Sequence, residues 1–171
     1  MPSSFLQPEA TASLATPLGL LTLYGSDAGL AAVTFEQTAE SGTPTPPVAV
    51  PHCLYPAYEQ LLAYFGRELR DFTLQYVPTF GTDFQRRVWE ALPAIGYGQT
   101  ASYLAIARAI GNPAAVRAVG AANGQNPLAI VWPCHRIIGA NGQLTGYAGG
   151  LNRKQLLLEF ERPTVQTSLF G

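Results

Sequence analysis

Fourteen prolines and seventeen glycines are spread over 171 residues and interrupt every apolar run. No stretch approaches the ~18 residues a membrane helix needs, so the chain is limited to short strands and helices joined by tight turns. At 47% hydrophobic and 12% charged, it can build a core and carries too little charge to stay disordered. Its length suits one domain or two small ones. No Lys or Arg precedes Arg67, which argues against a secretory signal with a basic start. The two cysteines, Cys53 and Cys134, form no disulfide framework. A reducing cytoplasm is the expected compartment, with no membrane association.

The breaks divide the chain into readable pieces. Residues 18–25 and 30–35 are β-favouring runs around Ser26-Asp27-Ala28-Gly29, which predicts a hairpin. Residues 41–51 hold Gly42-Thr43-Pro44-Thr45-Pro46-Pro47 and read as a loop. Tyr58, Leu61, Leu62 and Phe65 recur at helical spacing over residues 55–65. Residues 72–77 alternate like a closing strand that Pro78 ends. In the second half, Thr82 or Asp83 can cap a helix running to Pro93, and Ser102 caps another that stops at Gly111. After Asn112-Pro113 a helix of small residues is predicted over 114–122. The Gly-Asn-Pro joint suits a helix-turn-helix, or equally an ordinary αα-hairpin. A last helix over 152–160 turns Leu156, Leu157 and Phe160 inward.

Charge is divided as unevenly as structure. Residues 1–79 hold two basic and seven acidic groups, a balance of −5; residues 80–171 hold eight and four, a balance of +4. The total of −1 therefore hides a basic half that suits an anionic partner. With only Lys154 beside the arginines, phosphate contacts fall to arginines, amides and hydroxyls, and the salt dependence of binding should be shallow.

The densest chemistry lies at Trp132-Pro133-Cys134-His135-Arg136. Only a few per cent of an ordinary thiol is ionised at pH 7, and neighbouring imidazole and guanidinium groups would stabilise the reactive thiolate. Neighbours in an extended chain point to opposite faces, so Cys134 and His135 need a kink or a water bridge to cooperate. Glu161 is the acidic candidate for fixing the His135 tautomer. His52-Cys53 reads as a surface loop pair. The available Cys and His residues match no zinc spacing, so neither metal nor cofactor is expected.

The motifs Phe84-Gln85-Arg86-Arg87-Val88-Trp89, Ser102-Tyr103, Gly111-Asn112-Pro113, Arg117-Ala118-Val119-Gly120, Asn126-Pro127, Pro133-Cys134-His135-Arg136 and Tyr147-Ala148-Gly149-Gly150-Leu151 follow one another without an evident gap. In this the second half resembles the O6-alkylguanine-DNA alkyltransferase family, the methylated-DNA–protein-cysteine methyltransferases. The resemblance implies an α+β chain. Its parts would be a small N-terminal α/β domain of ribonuclease H-like kind (1–78), a mainly helical, winged-helix-like domain with a DNA-binding helix-turn-helix (79–162) and a flexible tail (163–171).

The resemblance also implies single-turnover repair of double-stranded DNA. Cys134 would take the alkyl group from O6-alkylguanine, with O4-alkylthymine a second candidate lesion. His135 would deprotonate Cys134 through water, with Glu161 behind it. Tyr103 would assist departure of the guanine oxygen and crowd the flipped phosphate, and Asn126 would brace the active-site turn. Tyr147, Ala148 and Gly149, with Trp132 and Pro133, would line the base pocket. Arg117 would fill the gap left by the flipped base, and Ala115, Ala118, Gly120, Tyr103 and Arg136 would meet DNA. Flipping costs a few kcal/mol of unstacking, and minor-groove docking suits a protein indifferent to sequence.

Some residues depart from the family pattern. Val116 is bulkier than the alanine often found there, Trp132 occupies the apolar position before Pro133, and the zinc ligands of some relatives have no counterpart. A non-catalytic lesion sensor of the same fold lacks the acceptor cysteine, which is present here. A simple regulator would leave Pro-Cys-His-Arg without a purpose, and a Cys-His hydrolase lacks an oxyanion hole. The chain is expected to act as a monomer. Its tail, Gln166-Thr167-Ser168-Leu169-Phe170, either packs back on the domain or engages a sliding clamp, whose binding peptides it resembles.

Overall fold

At Thr16-Pro17-Leu18-Gly19 the chain reverses in a tight turn, locked by the Thr16 hydroxyl. Thr16 Oγ1 accepts from Leu18 N (3.1 Å) and donates to Gly19 O (2.6 Å), while Gly19 takes φ +118°, a conformation that favours glycine. The computed structural model describes residues 9–37 and 42–163. The turn joins β1 (Ala10–Thr16) to β2 (Gly19–Ser26), and β3 (Gly29–Phe35) completes an antiparallel sheet in the order β1-β2-β3. The expected hairpin is present and has a third strand that the sequence pattern did not predict. Ala12 and Leu14 are the only buried apolar residues of β1, so it lacks the signature of a continuous apolar run.

Residues 72–77 do not form the closing strand that their alternation predicts. They make one parallel bridge to β3, through Leu30 N to Gln75 O (2.9 Å) and Val77 N to Leu30 O (2.8 Å). Farther along, the same edge of β3 is taken by the second half of the chain: Val33 N donates to Pro127 O (2.8 Å) and Ala129 N to Val33 O (3.1 Å). One strand thus anchors both the end of the first half and the loop that leads to Cys134.

α1 (Tyr55–Phe65) forms where predicted, with Ala57, Tyr58, Leu61 and Tyr64 inward and Leu62 outward. α2 (Asp83–Ala91) starts at a capping box in which Thr82 Oγ1 accepts from Gln85 N (3.2 Å) and Gln85 Oε1 from Thr82 N (2.9 Å). Ser102 ends the short strand β4 (Ala101–Ser102) and caps α3 (Tyr103–Ala109) through Ala105 N (3.1 Å). α4 (Val116–Gly124) begins two residues later than predicted, because Ala115 N closes a turn on Asn112 O (3.0 Å) first. β5 (Ile137–Ile138) pairs parallel with β4.

α5 (Leu151–Glu161) buries Lys154, Leu157 and Glu161; Leu156, expected inside, is exposed. Two of those three buried residues are charged. A single apolar cluster links β1–β3 and α1 to α2–α4 and Leu157 of α5, with fully buried Trp89 stacked on Trp132 at 5.9 Å. No helix among the described residues is long and apolar enough to cross a membrane.

Candidate active site

The approach to Cys134 is a braced loop. Asn126 Oδ1 accepts from Leu128 N (3.0 Å), and Asn126 Nδ2 donates to Trp132 O (2.7 Å) and Leu128 O (3.3 Å). Between these anchors Ile130 is held at φ +70° with its side chain buried. For a β-branched residue this left-handed conformation costs about 1–3 kcal/mol, which the surrounding bonds must hold in place. Pro133 then turns the chain into a single 3-10 turn, Cys134–Arg136. This is the kink that cooperation between Cys134 and His135 requires.

His135 points into the protein and is fully buried, with Nε2 2.7 Å from Glu161 Oε1. The same oxygen accepts from the Tyr64 hydroxyl (2.7 Å) and Arg136 Nη2 (2.9 Å), and Oε2 accepts from Arg136 Nε (2.9 Å). Burial pushes the Glu161 carboxyl up, but His135 and Arg136 together outweigh it and hold it at about 2. Burial also lowers His135 below its ordinary value, against the pull of Glu161 and with the help of Arg136 and Lys154. The imidazole is therefore neutral at pH 7. With ionised Glu161 taking its Nε2 proton, Nδ1 is left as a bare acceptor, and it is buried without a hydrogen-bond partner among the described residues.

Cys134 lines a cavity of about 130 Å³ and is itself 5% exposed. Burial pushes its thiol up to about 11; a hydrogen bond with Asn126 and the charge of Lys154 pull the other way. This corrects the expectation that the neighbouring guanidinium stabilises the thiolate, because Arg136 spends its charge on Glu161. Lys154 of α5, buried with Nζ on Thr145 O (2.7 Å), is the cation that bears on Cys134. The sequence marks Lys154 only as the one lysine beside the arginines and gives it no part in the site.

The cavity gathers residues from both halves. Val33, Thr34, Phe35 and Gln37 line it from the first half; Asn123, Asn126, Ala129, Tyr147, Ala148 and Gly149 line it from the second. Of the five residues expected to line a base pocket, Tyr147, Ala148 and Gly149 line the cavity that holds Cys134. Trp132 and Pro133 do not: Trp132 is buried between Trp89 and Tyr76, and Pro133 faces a separate small hollow beside Arg136. Arg136, expected to meet DNA, is 4% exposed with its remaining donor on Ile95 O (2.7 Å), so it offers nothing to a phosphate.

Asn123, which the sequence did not single out, donates to Cys134 O (3.3 Å), and neither its Oδ1 nor the Tyr147 hydroxyl has a partner among the described residues. Both residues line the cavity, so it holds unspent polar groups. Tyr103 bonds Thr145 Oγ1 (2.6 Å), and its ring would lie 3.7 Å from a Cβ at Gly120. On the outer face of α4, Arg117, Ala118 and Ala121 are exposed, with Ala115 and Val116 half-buried. His52 and Cys53 lie away from this arrangement, in a cleft of about 490 Å³ beside Asp27. Among the described residues no group of three or more His, Cys, Asp or Glu is placed to hold a metal.

Comparison with known proteins gives a consistent picture. Residues 83–163 match the family model for the 6-O-methylguanine DNA methyltransferase DNA-binding domain. A methylated-DNA–protein-cysteine methyltransferase of Mycolicibacterium paratuberculosis is 51% identical over 154 residues, spanning 90% of this chain and 93% of that protein. One from Methanosarcina acetivorans is 48% identical over 85% of this chain and 94% of its own length. The crystal structure of Mycobacterium tuberculosis O6-methylguanine methyltransferase superposes with a TM-score of 0.77 at 45% identity, covering 95% of this chain and 99% of that one. The M. tuberculosis OGT in complex with DNA gives 0.76 at 47% identity, covering 88% and 92%.

Proposed function

Because this chain belongs to the methylated-DNA–protein-cysteine methyltransferase family, we propose that Cys134 takes the alkyl group of O6-alkylguanine in DNA onto its own sulfur. The protein is a single-use repair enzyme acting by direct reversal. The observation that carries the assignment is a thiol lining a small cavity, backed by a neutral buried imidazole whose far nitrogen is fixed on an ionised carboxylate.

Sγ attacks the alkyl carbon as the C–O6 bond breaks, the S–C bond forms, and the base departs with the bonding pair on oxygen. The thiol proton passes through water to His135 Nδ1, and Glu161 stabilises the imidazolium. The Tyr103 hydroxyl protonates the departing base, so the products are a thioether and unmodified guanine. Nothing in the site activates a thioether, so each molecule acts once. Asn123 and Tyr147 offer their unpaired groups to the flipped base. Arg117 enters the vacated stack, while Ala115, Ala118 and Gly120 let α4 approach the groove.

The same reading carries the finer fold assignments. Three antiparallel strands, a helix and a parallel bridge at Tyr76 support a ribonuclease H-like first domain over residues 1–78. The α3–α4 pair supports a winged-helix-like second domain over 79–162. The protein would act as a monomer, in a reducing cytoplasm where a free thiol persists. The clamp-like tail, Gln166 to Phe170, lies outside the described residues; loss of clamp binding on removing residues 166–171 is its test.

Incubation with duplex containing O6-methylguanine should add the mass of one CH2 per protein molecule, mapped to Cys134. Cys134→Ala should abolish the gain while still binding DNA. Turnover beyond one equivalent, or an adduct on another residue, would overturn the assignment.

A further inference from the structure

The pocket around Cys134 is not built by the second half alone. β3 brings Phe35 to the cavity wall, beside Gly149 and Tyr147. Phe35 is 6% exposed, and a Cβ placed on Gly149 would lie 3.1 Å from Phe35 Cδ2 and 2.8 Å from Tyr147 Cε1. Both rings therefore crowd the space beside the Gly149 Cα, leaving no room there for a side chain.

Phe35 is also clamped from behind. The Arg153 guanidinium of α5 stacks on its ring, 4.7 Å from the centroid. That guanidinium donates from Nε to Leu18 O (3.0 Å) and from Nη2 to Glu36 O (2.8 Å), with a longer contact from Nη1 to Gly149 O (3.4 Å). Arg153 thus ties the β1–β2 turn, the end of β3 and the pocket loop to one planar group. Gln37 Nε2 adds a contact to Ala148 O (3.4 Å). A rigid ring held by cation–π contact and three carbonyl bonds yields little to an entering group.

We propose that Phe35, fixed by Arg153, is the specificity-determining wall that limits the size of the alkyl group reaching Cys134. This rests on the alkyl-transfer reading and gives the first half of the chain a direct part in substrate choice. The cavity holds about 130 Å³, a tight space for a base carrying more than a small alkyl group. Arg153 is a positioning residue here, acting through Phe35.

The test measures rates of Cys134 adduct formation with O6-methylguanine and O6-benzylguanine in the same duplex, using the full chain. Phe35→Leu should raise the benzyl-to-methyl rate ratio about tenfold and Phe35→Val further, with thermal melting confirming that each is folded. Arg153→Met should raise the ratio by a smaller factor, and Arg153→Lys should restore only part of it, because an ammonium cannot bond three carbonyls in one plane. An unchanged ratio in folded Phe35→Leu overturns the proposal; an unchanged ratio in Arg153→Met overturns the brace. Failure of the parent protein to form any methyl adduct would instead overturn the alkyl-transfer reading.

Discussion

Tyr64→Phe isolates one bond in the Cys134 relay. Tyr64 is fully buried on α1, and its hydroxyl donates to Glu161 Oε1 at 2.7 Å. Burial, followed by the charge of Glu161, drives the phenol pKa far up, so the hydroxyl remains a donor at every working pH. Phenylalanine fills nearly the same volume, which leaves the hydrogen bond as the main loss. A bond to a charged group contributes about 1.5–3 kcal/mol, and Oε1 keeps His135 and Arg136, so about 1.5 kcal/mol is expected. With m about 2 kcal/mol/M, the urea midpoint should fall by about 0.7 M with an unchanged slope. Relieved of one donor, Glu161 becomes a stronger acceptor for His135 and raises the imidazole pKa back toward its ordinary value. Arg136 and Lys154, the cations facing His135, are unaltered. The acid limb of the pH–rate profile for Cys134 methylation should therefore move to higher pH. A midpoint within about 0.2 M of the parent, or an acid limb that moves down, would refute the reasoning.

Two further outcomes follow from buried charge. Lys154→Met keeps the length of the side chain, removes the cation that bears on Cys134 and strips the donor from the carbonyl of Thr145, the residue whose hydroxyl bonds Tyr103. Methylation should slow about tenfold and its pH profile should shift toward alkali; a slower rate with an unmoved profile would mean that Lys154 is merely structural. The thiol itself gives the second. Below its ordinary pKa of 9.0, folded and unfolded chains both hold the Cys134 proton, so this group makes no difference to stability. Between there and about 11 the unfolded chain gives the proton up and the folded chain keeps it, so stability falls as pH rises. Relative to Cys134→Ala, denaturant titrations should show about 2–3 kcal/mol lost across that window, and parallel curves would contradict it.

Elements with a local stop or start signal were legible in the sequence. Thr82 with Gln85, and Ser102, mark the starts of α2 and α3 because a cap is a bond within four residues. Elements set by distant partners were not. Residues 72–77 alternate as a strand does, yet only Leu30 offers them both of its backbone groups, since Val33 is engaged by residues 127–129. α5 buries Lys154 and Glu161 because Thr145 O, His135, Arg136 and Tyr64 wait for them, which no apolar period can reveal. The expectation that Arg136 steadies the Cys134 thiolate and meets DNA misses its place for the same reason: adjacency to Cys134 says nothing of where a long side chain goes. The signal that could have found its partner was Glu161 itself, already required by His135.

This division bears on how a protein that acts once preserves its one reactive atom. A thiol at about 11 is ionised in roughly 1 molecule in 10,000 at pH 7, about a hundredfold less than the same thiol at its ordinary 9.0. Stray electrophiles therefore meet a protonated, 5% exposed sulfur rather than a ready nucleophile. In the proposed relay His135 takes the proton with Glu161 already ionised and bonded to its Nε2. On the proposed reading, occupancy of the cavity gates the reaction, and β3 supplies part of its wall beside the second half of the chain. Reactivity and selectivity are then separable. On the proposed reading, the relay behind Cys134 sets how fast any admitted group is taken, and the Phe35 and Tyr147 rings set which groups are admitted. On that basis Tyr64→Phe should change rates for methyl and benzyl substrates by the same factor, whereas Phe35→Leu should change their ratio.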